Sequence, residues 1–283
     1  MISYAEKLDK NIRDLMKQDR PGLSLFLTGG YPDMESFIRL VKFIDRKGLA
    51  DFVEVGIPFS DPVADGPVIQ ESSRIAIEKG ASFKTITAAL AREKQNLNMP
   101  LVLMSYLNPL YSGGFEKNMR SAVDAGFASV IIPDLPVDES EEYLRLMNGL
   151  GIGAVFLSSP ATSSGRIKKI SASCFPFMYY VSRFGTTGMR SKMAGNIKTR
   201  IKEVKRASKV PVYCGFGIST TSQAALVGTE ADGIIIGSAI VKMISGSERN
   251  YFKEIEKFAI SIKKGLAACR RKSGQKKSVK GGV

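Results

Sequence analysis

The 283-residue chain has no histidine, no tryptophan, only three cysteines, and no apolar run approaching eighteen residues. Each shortage excludes something. Without imidazole there is no histidine general base, no Ser-His-Asp or Cys-His nucleophile, and no transition-metal site built on histidine. Acid–base chemistry falls to Asp, Glu, Tyr, Lys or Cys. The missing apolar run excludes a membrane-spanning helix. Cys174, Cys214 and Cys269 lie far apart with no C-x-x-C spacing, which argues against a disulfide framework or zinc site and for a reducing, cytoplasmic setting. The first eighteen residues alternate charged and apolar positions, so they read as an amphipathic helix and not as a secretory leader.

Charge is plentiful but one-sided. There are 41 Lys and Arg against 27 Asp and Glu, a net charge of +14. Six of the basic residues (Arg270, Arg271, Lys272, Lys276, Lys277 and Lys280) crowd a terminal segment that has no carboxylate. The remaining surplus is scattered along helical stretches, without the interleaved aromatics of a nucleic-acid groove. Neither nucleic acid nor membrane is expected as a partner. Residues 271–283 read as a basic, disordered tail.

Apolar periodicity divides the rest into alternating short strands and helices. A helix over 4–19 precedes strands at Leu23–Thr28, Phe52–Gly56, Leu101–Tyr106, Ser129–Pro133, Ala154–Ser158, Phe177–Ser182, Val210–Cys214 and Gly233–Ile236. A helix follows each, and two follow the second strand. Eight βα units within 1–270 and no internal linker predict one (β/α)8 TIM barrel, with an extra N-terminal helix and an additional helix after strand two. An open doubly wound sheet is the competing architecture, but the even spacing favours closure.

One stretch stands apart: Asp51–Pro67, DFVEVGIPFSDPVADGP. Glu54 lies within a strand that is otherwise apolar on both faces, where a lone carboxylate costs several kcal/mol to bury without a use for it. Asp65 follows eleven residues later in a Pro/Gly/Asp loop, far enough to fold back over the strand end. Two carboxylates so placed can face one substrate from two sides. Spacing alone equally allows a solvated Glu on an edge strand beside an ordinary polar loop. In a barrel the site lies at the carboxyl ends of the strands, and there the informative residues collect: Glu54, Asp65, Tyr106, Asn108, Asp134, Tyr179 and three glycine-rich turns. Those turns, Gly185–Gly188, Gly215–Ser219 and Gly237–Ala239, follow strands six, seven and eight. There, backbone N–H groups and a helix N-terminus can take a phosphate.

The run Glu54–Pro67, with Thr28-Gly29-Gly30-Tyr31-Pro32, Ser182–Gly188, Gly215–Ser219 and Gly237–Val241, resembles the tryptophan synthase alpha subunit family over about residues 4–268. The resemblance implies a carbon–carbon lyase that cleaves indole-3-glycerol phosphate to indole and glyceraldehyde 3-phosphate. It implies Glu54 as acid–base carboxylate and Asp65 at the indole N–H. Gly188, Gly217, Gly237 and Ser238 would take the phosphate. Phe26, Ile69, Met104, Tyr106, Tyr179 and Phe216 would line the indole pocket, with Thr187 in a closing loop. The chain would need no metal or cofactor of its own. Pyridoxal phosphate would belong to a partner beta subunit, in an assembly of two alpha and two beta chains. Phe184, Thr186 and residues 189–196 depart from the family pattern at the foot of the closing loop.

The residues suit that chemistry. A retro-aldol cleavage needs an electron sink, yet no expected strand carries a lysine for a Schiff base and no histidine is present to hold a metal. The substrate's own ring, protonated at C3, is the remaining sink. Asp65 would stabilise charge developing at the ring nitrogen, and Glu54 would carry the protons. The competing reading is a catalytically weak barrel kept to bind and activate the beta subunit. The apolar Pro109-Leu110-Tyr111 of loop 107–114 is expected to be exposed as part of a partner surface.

Overall fold

The computed structural model describes residues 2–181, 190–215, 217–246 and 250–278, without the side chains of 190–196 and 269–278. Helix α1 (Tyr4–Lys17) opens with a capping box between Ser3 and Glu6. Then come β1 (Gly22–Thr28), α2 (Met34–Arg46), β2 (Phe52–Gly56), α3 (Pro67–Glu78), α4 (Phe83–Glu93) and β3 (Leu101–Met104). The middle of the chain holds α5 (Leu107–Tyr111), α6 (Phe115–Asp124), β4 (Phe127–Ile131), α7 (Glu141–Gly149), β5 (Gly153–Val155), β6 (Leu157–Ser158) and α8 (Ser164–Ala172). It closes with β7 (Met178–Val181), α9 (Arg190–Ala207), β8 (Val212–Gly215), α10 (Thr221–Gly228), β9 (Gly233–Ile236), α11 (Ser238–Gly246) and α12 (Tyr251–Ser278).

All strand pairs are parallel, in the order β5-β4-β3-β2-β1-β9-β8-β7-β6. The predicted fifth strand, Ala154–Ser158, is split. Its first half pairs with β4 and its second with β7, and Phe156 stands between. Phe175 N donates to Ala154 O at 2.8 Å and Tyr179 N to Phe156 O at 3.1 Å, drawing the two ends of the sheet together. The expected barrel is thus present. Both α3 and α4 follow strand two, and α1 is the extra N-terminal helix.

Two apolar layers hold it. Inside the barrel Phe52, Phe177 and Tyr213 pack ring on ring, with centroids 4.8–5.4 Å apart. Leu8 and Ile12 of α1 join that cluster, so the extra helix plugs the amino end of the bore. Outside, the opposite strand faces pack against the helices, whose apolar stripes (Phe37, Leu40, Val41 and Ile44 on α2) recur at helical spacing. At the amino ends, aspartates tie neighbouring strands. Asp51 accepts from Leu23 N at 2.8 Å, and Asp232 accepts from Val212 N at 2.9 Å. These carboxylates serve stability, which leaves the carboxyl ends free for chemistry.

Two expectations are corrected. The segment after β3 is not an open loop: its first residues form α5, because Asp134 Oδ1 accepts from Leu107 N at 2.9 Å and fixes its first turn. Leu110, expected to be exposed, is fully buried, as helical winding turns it inward while Tyr111 stays exposed. At the other end of the chain, α12 continues to Ser278, into the segment expected to be a disordered tail.

Candidate active site

Glu54 occupies the centre of β2, in register with Phe26 on β1 and Val102 on β3. It is fully buried. The only hydrogen bond to its carboxyl among the described residues is a long one, 3.5 Å from Ser24 Oγ, and Oε2 has no partner there. Burial pushes the Glu54 carboxyl up to about 8, and the Ser24 hydroxyl offsets only part of that. The group therefore holds its proton at neutral pH.

Above it opens a cavity of about 270 Å³. Phe26, Ile69, Met104, Tyr179 and Ile235 form apolar walls, and Asp65 stands at the rim. Gly217, Gly237, Ser238 and Lys242 lie along its edge. Phe26 lies across Gly56: a Cβ there would stand 2.4 Å from the Phe26 ring. Tyr179 is fitted in the same way against Gly215, where a Cβ would meet its hydroxyl at 2.1 Å. Gly217 takes a left-handed backbone, φ 79°, which glycine adopts without a Cβ clash. Ser238 begins α11, whose first N–H groups border the cavity.

Asp65 is partly buried, and that desolvation lifts its carboxyl to about 6, with the Tyr106 hydroxyl pulling it back down. Tyr179 is raised well above its ordinary value, first by burial and then by the charges of Glu54 and Asp65. Tyr179 and Asp65 both line the cavity. The two acids thus differ at neutral pH: one protonated, one ionised.

Most of the residues expected at the site converge here. Phe26, Ile69, Met104, Tyr179, Asp65, Gly217, Gly237 and Ser238 line the cavity. Glu54 lies in the strand beneath and does not line it. Tyr106 faces a small side cleft shared with Asp65, Phe26, Ile69 and Met104. Thr187, Gly188 and Phe216, with Phe184 and Thr186, lie outside the described residues. Sequence reasoning missed Lys242. It stands one helical turn beyond Ser238 on the same face, the spacing by which it could have been found. No carboxylate pairs with it among the described residues. A larger groove of about 810 Å³, between α2, α4 and α12, lies on the outer helical layer, where Lys42 is already paired with Glu93.

The family model of the tryptophan synthase alpha chain matches residues 12–269. The chain belongs to the tryptophan synthase alpha family. Curated relatives named tryptophan synthase alpha chain agree along nearly their full length. That of Geotalea daltonii is 35% identical over 93% of this chain and 99% of its own. That of Nitratidesulfovibrio vulgaris is 40% identical over 84% of this chain and 92% of its own. Among solved structures, the tryptophan synthase alpha subunit of Legionella pneumophila superposes with a TM-score of 0.85. It is 29% identical, covering 95% of this chain and all of that one. The family's TIM barrel is the architecture seen here. No helix among the described residues is long and apolar enough to cross a membrane.

Proposed function

We propose that this chain catalyses the alpha reaction of tryptophan biosynthesis, cleaving indole-3-glycerol phosphate to indole and glyceraldehyde 3-phosphate. The observation that carries the reading is the contrast between two carboxyls: Glu54, buried in β2 and held protonated, and Asp65, which lines the cavity and is ionised. The phosphate is taken by Gly217, Gly237 and Ser238 together with Gly188, and Thr187 is assigned to the closing loop. The indole ring lies between Phe26, Ile69, Met104 and Tyr179, with Phe216 beside them. Asp65 accepts the ring N–H and stabilises the positive charge that appears there when C3 is protonated.

Glu54 supplies that proton, for which its raised pKa suits it. To do so its carboxyl turns upward from its buried position past Phe26. Once ionised, it takes the glycerol hydroxyl proton as the carbon–carbon bond breaks. The bond electrons enter the ring and restore neutral indole when the C3 proton is retained and the iminium collapses. The strands carry no lysine and Lys242 lies at the phosphate edge, so the ring itself serves as the sink. Indole then passes to a beta subunit, which holds the pyridoxal phosphate. The chain works in the cytoplasm, with residues 1–270 as one domain, 271–283 as an appendage, and two copies of each subunit in the assembly.

The test is indole release by the purified chain, alone and with a beta subunit. Glu54→Gln and Asp65→Asn should each abolish nearly all turnover, Glu54→Gln because it cannot move a proton. Substantial turnover by either variant would remove that carboxylate from the mechanism. A wild-type chain that binds a beta subunit but releases no indole would leave only a scaffold role.

A further inference from the structure

Tyr106 was expected to form part of the indole wall, yet it does not line the main cavity. The chain around it is fixed with unusual care. It is buried at the end of β3, its carbonyl accepts from the Ser105 hydroxyl at 3.0 Å, and the next amide is held by Asp134. Its ring packs on Phe59, centroids 5.4 Å apart. Its hydroxyl oxygen accepts from Ala64 N at 2.9 Å, and it shares a cleft with Asp65, whose carboxyl it helps to hold ionised.

Loop 57–66 has little else to hold it. At its ends Ile57 N donates to Met104 O at 2.8 Å and Gln70 Nε2 donates to Asp65 O at 3.0 Å; between them the bonds are internal, Val63 N to Asp61 O and Asp65 N to Pro62 O, each 3.0 Å, and Val63 is almost fully exposed. Among the described residues, no other hydrogen bond ties 58–64 to the barrel. We propose that Tyr106 is a positioning residue for Asp65. Its one hydroxyl anchors the backbone at Ala64 and orients the adjacent carboxylate, so that the rigid end of β3 sets where Asp65 stands. The inference rests on the assignment of Asp65 to the indole nitrogen.

The physics favours such a device. A ten-residue loop has many conformations, and a misplacement of about 1 Å in a charge-stabilising group costs on the order of a hundredfold in rate. A hydroxyl that accepts from one group donates more strongly to the next, so the two bonds reinforce each other. The charged and titratable groups facing this pair are Glu54 and Tyr179 from the strands, Asp134 from the end of β4 and Lys242 from α11. None replaces the phenol as a donor to Asp65.

The test is Tyr106→Phe in the full chain, which keeps the ring and its contact with Phe59. Turnover efficiency, kcat/KM, should fall roughly tenfold, the worth of one hydrogen bond. The acid limb of its pH profile should move upward, since the carboxylate loses the donor that favours ionisation. An NMR titration of the aspartate carboxyls should show Asp65 ionising at higher pH than in the wild type. Affinity for glycerol 3-phosphate as probe should stay unchanged, because the glycine turns do not touch Tyr106. Wild-type kcat/KM with an unmoved Asp65 titration would overturn the proposal. So would a loss of activity matched by equal losses in Tm and probe affinity with the acid limb in place, since a purely structural role gives that pattern. If Asp65→Asn proved fully active, the assignment of Asp65 would fail, while the titration in Tyr106→Phe would still decide the anchoring.

Discussion

Glu54 should make the protein less stable as pH rises, and Glu54→Gln should remove that dependence. In the unfolded chain the carboxyl ionises near its ordinary 4.5, whereas in the fold burial holds it back to about 8. Between those values the native state carries a proton that the unfolded state has lost. Its contribution to stability is therefore complete below pH 4.5 and disappears as pH rises through 8, at about 1.4 kcal/mol per pH unit. At pH 7 the loss is on the order of 3 kcal/mol. Glutamine has the same shape and does not titrate. Any fixed cost of burying its amide is the same at every pH, and Asp65, also raised, is common to both proteins. The stability of Glu54→Gln relative to wild type should thus climb by about 2–3 kcal/mol from pH 5 to pH 7, or roughly 4–10 °C in Tm. Urea unfolding followed by far-UV circular dichroism at pH 5, 6, 7 and 8 measures it. Parallel stability curves for the two proteins would refute the argument, because they would mean that Glu54 ionises in the fold as easily as in water.

Gly237→Val should be tolerated by the fold, since a Cβ there meets only the Phe26 side chain at an ordinary 3.4 Å. Its branched methyls would fill the phosphate edge, so KM for the phosphate-bearing substrate should rise on the order of tenfold or more, a charged hydrogen bond's worth. Equal turnover of dephosphorylated and phosphorylated substrate would exclude that edge as the anchor. Gly215→Ala should cost roughly 1–3 kcal/mol by overpacking, because its methyl would stand 2.1 Å from the Tyr179 hydroxyl. Against a Tyr179→Phe background, which lacks the hydroxyl nearest that methyl, the added cost of Gly215→Ala should be smaller, and an equal cost in both backgrounds would show that the Tyr179 hydroxyl is not the obstacle.

The parts legible in the sequence are those with a local cause. Strand β2 was read from its apolar run, and the isolated Glu54 within it was suspicious because burial of a charge is costly whatever the neighbours. Ser82 announced α4 by capping, and Gly48 ended α2. The family resemblance then supplied roles for residues whose spacing alone was ambiguous. What stayed hidden depended on contacts between distant segments. Asp134 fixes the amide of Leu107, twenty-seven residues earlier, and so winds a stretch that local composition marked as loop. The split at Phe156 arises where the sheet must meet itself, which no local pattern announces. Lys242 differs, since its i,i+4 spacing from Ser238 on α11 was local and could have been read.

That split gives the barrel a direction of compliance. A cask yields first at its weakest stave, and here the fifth stave meets each neighbour along only part of its length, three residues on one side and two on the other. In the strand order, β1 lies diametrically opposite that stave, flanked by β2 and β9. Phe26, Glu54 and the Gly237 turn are therefore mounted on the stiffest arc. Tyr179, on β7 beside that stave, stands on the arc with most give. With the roles proposed above, the proton carrier and the anion edge would share the firmer arc, and adjustment to the girth of a guest would fall to the wall on the other side.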